Sequence, residues 1–114
     1  MVKLESLKKS DHFKFVLKQE KTHTSYFSIF GTKDFIKTKK GNLSLTFIMK
    51  KKIGNAVKRN KIRRKLRAIV LQLLKKKSAI NLNYTYIVFG KNKAYNEKYE
   101  TLLVSMSKSF KKFK

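Results

Sequence analysis

Apolar positions along the chain change period repeatedly, and each change marks an element. After Ser10 and Asp11, Phe13, Val16 and Leu17 recur at i, i+3 and i+4. This spacing predicts a short amphipathic helix over residues 10–20, capped by Ser10 or Asp11, with Phe15 on its opposite face. Residues 26–30 (YFSIF) and 43–49 (LSLTFIM) are β-branched and aromatic runs with apolar spacing near two, bounded by Gly31 and by KKGN at 39–42. Both read as strands. In the second, Leu43, Leu45, Phe47 and Met49 share one face, and Ser44, Thr46 and Ile48 the other.

Over residues 55–76 the period lengthens. Ile62, Leu66, Ile69 and Leu73 recur at helical steps, with Val70 at the margin, and predict the longest helix. Residues 84–89 (YTYIVF) read as a strand ending at Gly90. Residues 96–112 place Tyr99, Leu102, Leu103, Met106 and Phe110 on a stripe that Phe113 extends, with Asn96 as N-cap and lysines in the last turn. The order αββαβα, without repeats or a linker, predicts one α+β domain over residues 1–114, a two-layer α/β sandwich whose helical stripes cover one sheet face. A chain of 114 residues has room for one modest core.

Charge then changes the picture. The chain carries 30 Lys and Arg against 6 Asp and Glu, a formal charge of +24. Solubility needs far less, and the self-repulsion opposes compaction, so a polyanionic partner is expected. Hydrophobic content of 41% and aromatic content of 12% argue against a disordered basic tail, because such tails lack the apolar residues that offset chain ordering. The absence of cysteine excludes disulfides and thiolate metal sites and favours the cytoplasm. No apolar run is long enough for a membrane span or suited to a signal peptide.

Residues 35–96 contain no acid at all. Within them, the run KKKIGNAVKRNKIRRKLR at 50–67 leads from a strand end across Gly54 into the long helix. At about 100° per residue, Asn60, Arg63, Arg64 and Arg67 fall on one flank of that helix, beside the core stripe, with Arg59 near the boundary. Guanidinium forks suit bidentate contact with phosphate oxygens. Lys50, Lys51, Lys52, Lys58 and Arg59 also crowd the helix N-terminus, where the dipole disfavours cations. Stability does not account for that placement. An external anion does, since free N–H groups at residues 54–57 among these cations make a phosphate site.

The stretch KKIGNAVKRNKIRRKLR at 51–67, with Arg59-Asn60 followed by Arg63-Arg64 and Arg67, resembles the signature of the ribonuclease P protein family. The resemblance extends to the leading helix with Phe13, Val16 and Leu17, the aromatic strand at 26–30, the strand at 84–89 and the closing helix. It implies a roughly four-stranded sheet with three helices, and an unusual left-handed crossover through the signature helix, against the usual right-handed rule. Three strands are clear in the pattern, so a fourth is expected to be short, within residues 33–40 or at an edge. The resemblance further implies that Lys51, Lys52, Asn55, Lys58, Arg59, Asn60, Lys61, Arg63, Arg64 and Arg67 contact the catalytic RNA. By the same token, a cleft between the first helix and the sheet takes the 5′ leader of precursor tRNA. Phe13, Leu17, Phe30, Thr46 and Ile48 are the matching cleft residues. Leu17 departs from the aromatic usual at its position, which weakens its claim to stack a base.

A nuclease acting alone needs convergent carboxylates or a positioned acid and base. The six acids are scattered, and His12 and His23 lack a partner at metal spacing, so both read as plain surface residues. The chemistry is therefore expected to belong to the RNA, with Mg²⁺ held mainly by RNA phosphates and none by the protein alone. The expected partners are the ribonuclease P RNA and precursor tRNA; no protein partner is implied. A structural RNA-binding protein such as a ribosomal component would share charge and fold. A peripheral membrane binder fits the aromatic strands and arginine row poorly.

Overall fold

The structure, a computed structural model, describes residues 2–36, 38, 41–76 and 78–113. Among these, five strands, β1 (Leu4–Glu5), β2 (Glu20–His23), β3 (Phe27–Lys33), β4 (Leu43–Ile48) and β5 (Tyr84–Gly90), combine with three α-helices, α1 (Ser10–Val16), α2 (Ala56–Leu74) and α3 (Tyr99–Phe110). The strands form one sheet in the order β1-β4-β5-β3-β2. Strands β4 and β5 are adjacent and parallel, with Ser44 opposite Thr85 and Ile48 opposite Phe89, so α2 is the crossover between them. The short β1 pairs parallel to β4, while β3 runs antiparallel to both β5 and β2.

Strand β5 sits at the centre, which is why its sequence is a continuous apolar run rather than an alternation with polar residues. The pleat still sorts its side chains. Tyr84, Tyr86 and Val88 join Phe27, Ile29, Leu43 and Leu45 in a core against α2 and α3, whereas Ile87 belongs to a second, smaller cluster with Leu7 and Val16 beneath α1. The stripes of the long helices behave as their periods predict. Ile62, Leu66, Ile69, Val70 and Leu73 of α2, with Leu102, Met106 and Phe110 of α3, are buried to within 1%. Leu43 and Leu45 of β4, and Met49 just beyond it, face that core, and Ile48 faces the small cluster, as the alternation requires.

Several expectations need correction. The sheet has five strands rather than four, and the additional ones are edges: β1 is two residues long, and β2 (EKTH) buries only Thr22. Neither is long or apolar enough to show a period. Residues 34–36 and 38 hold no strand; Asp34 turns with φ 55 and donates its N–H to the Asn83 carbonyl. Residues 37, 39 and 40, part of the expected strand or turn there, lie outside the described residues. Gly31 does not end β3 but lies within it, paired with Tyr86 of β5 and Glu20 of β2, and a Cβ there would stand 3.0 Å from the rings of Phe113 and Tyr86. The first helix stops at Val16, its N-cap is Lys9 rather than Ser10 or Asp11, and α3 begins after Lys98 rather than Asn96; neither Lys cap makes a side-chain bond. Asp11 and Glu100 in the first turns supply instead the negative charge that a helix N-terminus favours.

Candidate nucleic-acid interface

Strand β4 ends at Ile48, and the chain makes a 3₁₀ turn at Lys51–Ile53 before entering α2. Gly54 joins the two with φ 154 and ψ −163, a region open essentially to glycine alone. A Cβ there would also lie 2.9 Å from the Lys58 side chain. The Asn55 side chain then accepts the Lys58 N–H at 2.9 Å and closes the first turn. Of the N–H groups expected to face a phosphate, that of Gly54 is committed to the Lys51 carbonyl at 3.2 Å. Those of Ala56 and Val57 remain unpaired in the first helical turn.

The cations of α2 divide into four groups. Asn60, Arg64 and Arg67 are exposed, and the half-buried Arg63 donates to the side-chain amide oxygen of Asn60 at 2.7 Å, which orients both side chains. Arg59 leans back on the Asn55 carbonyl at 3.4 Å. Lys58 and Lys61 stand over the ring of Tyr95, each 5.0 Å from its centroid, so their ammonium groups are positioned by cation–π attraction. Lys65 points elsewhere: its ammonium donates to the backbone carbonyls of Ala94 at 3.0 Å, Tyr95 at 3.2 Å, and Glu97. It ties down the loop that carries Tyr95. In the same loop the Glu97 carboxyl is held below its ordinary value, chiefly by the Lys98 N–H and then by the Tyr26 hydroxyl, whose own pKa rises in return. Lys51 and Lys52 are exposed in the 3₁₀ turn.

On the opposite sheet face, α1 leaves a cleft of about 560 Å³ uncovered. Phe30 and Phe89 meet edge to face in its wall at 5.6 Å, with Leu17 and Ile53 beside them. Lys50, Lys52 and Lys91 bring positive charge to it, and the Lys50 ammonium lies 5.4 Å from the Phe89 centroid. His23 stands edge-on to Phe30 at 6.0 Å and shares a 2.6 Å hydrogen bond with the Ser28 hydroxyl. An aromatic wall under a cationic rim can stack a base while neutralising its phosphate. Among the described residues no three His, Asp or Glu side chains come together as metal ligands, and no helix is long and apolar enough to cross a membrane.

The five expected cleft residues are not all brought together. Leu17 and Phe30 line the cavity. Phe13 and Ile48 are half-buried and pack on the Leu7, Val16 and Ile87 cluster, supporting the site from beneath. Thr46 is buried, and its hydroxyl accepts the Leu7 N–H at 2.8 Å, so the N-terminal segment occupies it instead. Phe89, Lys50 and His23 were missed. A register count along residues 84–89 separates Phe89 from Tyr84, Tyr86 and Val88, and would have found it. Nothing in the sequence near His23 signals its place, because β2 brings it there through pairing with β3, His23 opposite Ser28.

Comparison with known proteins places this geometry in context. The family model described as Ribonuclease P matches residues 1–114. A ribonuclease P protein component of Bacillus cereus is 29% identical over 112 residues, covering 98% of this chain and 93% of the relative. One from Bacillus anthracis is likewise 29% identical, over 98% of this chain and 90% of its own. Among solved structures, the RNase P protein of Staphylococcus aureus superposes with a TM-score of 0.71 at 26% identity, covering 96% of this chain and 94% of that one. The RNase P protein of Thermotoga maritima shares the fold with a TM-score of 0.75 at 22% identity, over 96% and 98% of the two chains.

Proposed function

The chain belongs to the ribonuclease P protein family, a component of a bacterial endoribonuclease with an RNA partner, and from that premise we propose that it binds the catalytic RNA through α2 and the 5′ leader of precursor tRNA in the cleft. The observation that carries this reading is the continuity of the two surfaces. Lys50, Lys52 and Ile53 line the cleft, and the same chain continues within a few residues into the arginine row of α2.

Each part has a physical role. Arg63, steadied by Asn60, offers with Arg64 and Arg67 forks to phosphate oxygens of the folded RNA, while Lys51, Lys52, Lys58, Arg59 and Lys61 surround the N-terminus of α2 with charge. Neutralising phosphates there releases counterions and lowers the repulsion between catalytic RNA and substrate. Phe30 and Phe89 stack leader bases and so hold the scissile phosphate in register. The protein contributes binding and position in the cytoplasm, and the bond-breaking step belongs to the RNA with Mg²⁺ on its phosphates.

Two measurements test this. Added to a ribonuclease P RNA at low Mg²⁺, the protein should restore cleavage of precursor tRNA. Removing the leader from the substrate should abolish most of the protein's effect on substrate affinity; an undiminished benefit without a leader would refute the cleft assignment.

A further inference from the structure

Helix α1 has a second flank that the proposed reading does not use. Leu17, at its end, faces the cleft, and Val16 is buried against the sheet. Phe15 lies on the other side of the helix, 44% exposed. Its ring stacks on Phe35, with centroids 4.6 Å apart and planes inclined by 19°. His12, one turn earlier, meets Phe35 edge-on at 5.2 Å. Phe35 itself is anchored, because it packs against the small cluster of Leu7, Val16 and Ile87. One ring is thus fixed, and a second is laid parallel upon it with much of its surface in water.

Covering Phe35 requires only an apolar side chain; a parallel ring adds a surface on which another flat π-system can continue the stack. The surroundings select the charge of that system. Lys8, Lys9, Lys14 and Lys18 are exposed around α1, against Glu5, Asp11, Glu20 and Asp34 as the nearby acids in sequence. Aromatic platforms among lysines suit the bases and phosphates of an unpaired strand. We propose that Phe15 and Phe35 form a second stacking platform, for an unpaired base of single-stranded RNA, on the flank of α1 away from the cleft. The inference rests on the reading of this chain as an RNA-binding protein and adds a site outside the leader cleft.

The chain contains no tryptophan, so Phe15→Trp introduces a single reporter. Short oligoadenylate single strands, followed in parallel by anisotropy, should quench the emission of this variant, and a duplex of equal length should do so far less. Quenching should persist when Phe30→Ala and Phe89→Ala disable the cleft. In that background, Phe15→Ala should weaken oligoadenylate binding roughly 5- to 150-fold, the factor that one lost base stack carries. Phe15→Leu, which keeps the apolar cover but not the ring, should bind as weakly. Bound oligonucleotide without quenching, or full affinity in Phe15→Leu, overturns the platform and leaves the cleft reading standing. A change in emission with protein concentration alone identifies a second copy of the chain as the occupant and also overturns it. Failure of every form to bind oligoadenylate overturns both.

Discussion

On one face of the sheet, α2 and α3 press Leu66, Ile69, Met106 and Phe110 onto Ile29, Leu45 and Tyr86, all buried. On the other, the seven-residue α1 covers Ile87 with Val16 and leaves Phe30 and Phe89 half-exposed beside an open cleft. The same strands supply both faces, and β5 alternates between them. The contrast teaches where a small, highly charged chain finds its stability. The apolar area of one closed face has to offset the self-repulsion of +24, which frees the other face to remain incomplete. An unfinished face is what a ligand with stacked bases requires.

The largest test of that contrast is Leu66→Ala. Leu66 is fully buried, so its loss should cost about 2–5 kcal/mol of unfolding free energy, read from urea denaturation. Phe89→Ala on the other face should behave differently. Its side chain is half-exposed, so the stability loss should be smaller, while affinity for a leader-bearing precursor tRNA falls by about 1–3 kcal/mol. If Phe89→Ala unfolded the protein as readily as Leu66→Ala and left leader affinity intact, the two faces would not divide as described.

Next in size is Arg67→Ala, on the water side of the helix that closes the core. Arg67 is exposed and its side chain forms no hydrogen bond or ring contact among the described residues, so stability should change by less than about 0.5 kcal/mol. Binding to the catalytic RNA should weaken, and the slope of log affinity against log salt should become shallower by about 0.9, as for one lost phosphate contact on duplex-like RNA. Arg63→Ala should do the same and also release Asn60, its hydrogen-bond partner. An unchanged slope in both variants would remove the arginine row from the interface.

These predictions draw on features of unequal legibility. The stripe of α2 and the alternation of β4 were readable because each is a local period enforced by a long-range consequence, burial on one side. The arginine flank followed from the same period. What could not be read depends on pairing and loops. Strands β1 and β2 exist because β4 and β3 offer them edges, not because LE or EKTH prefers to be extended. The start of α3 moved past Asn96 where Lys65, more than one helix away in sequence, gathers the carbonyls of Ala94, Tyr95 and Glu97. Thr46 looked available on a partly polar strand face until the N-terminal segment, which shows no period, was found bonded to it.

The smallest expected effect concerns that same loop, which links the closed face to the cleft rim. Glu97 has a folded pKa below its ordinary value of 4.5 because the Lys98 N–H and the Tyr26 hydroxyl bond its charged form, with the cations of Lys65 and Lys98 assisting. A depressed carboxylate contributes stability above its unfolded pKa and loses it as pH falls through the lower folded value. Tyr26 has the opposite sign: its raised pKa gives a contribution present below its ordinary value of 10.0 and lost as pH rises through the folded value. Wild type should therefore lose a little stability at both extremes relative to Glu97→Gln, most visibly below pH 4.5. The group is exposed and screened, so the difference should be slight. Thermal unfolding of the two proteins between neutral and acid pH checks it, and parallel curves over that range would show that Lys65 alone holds the loop.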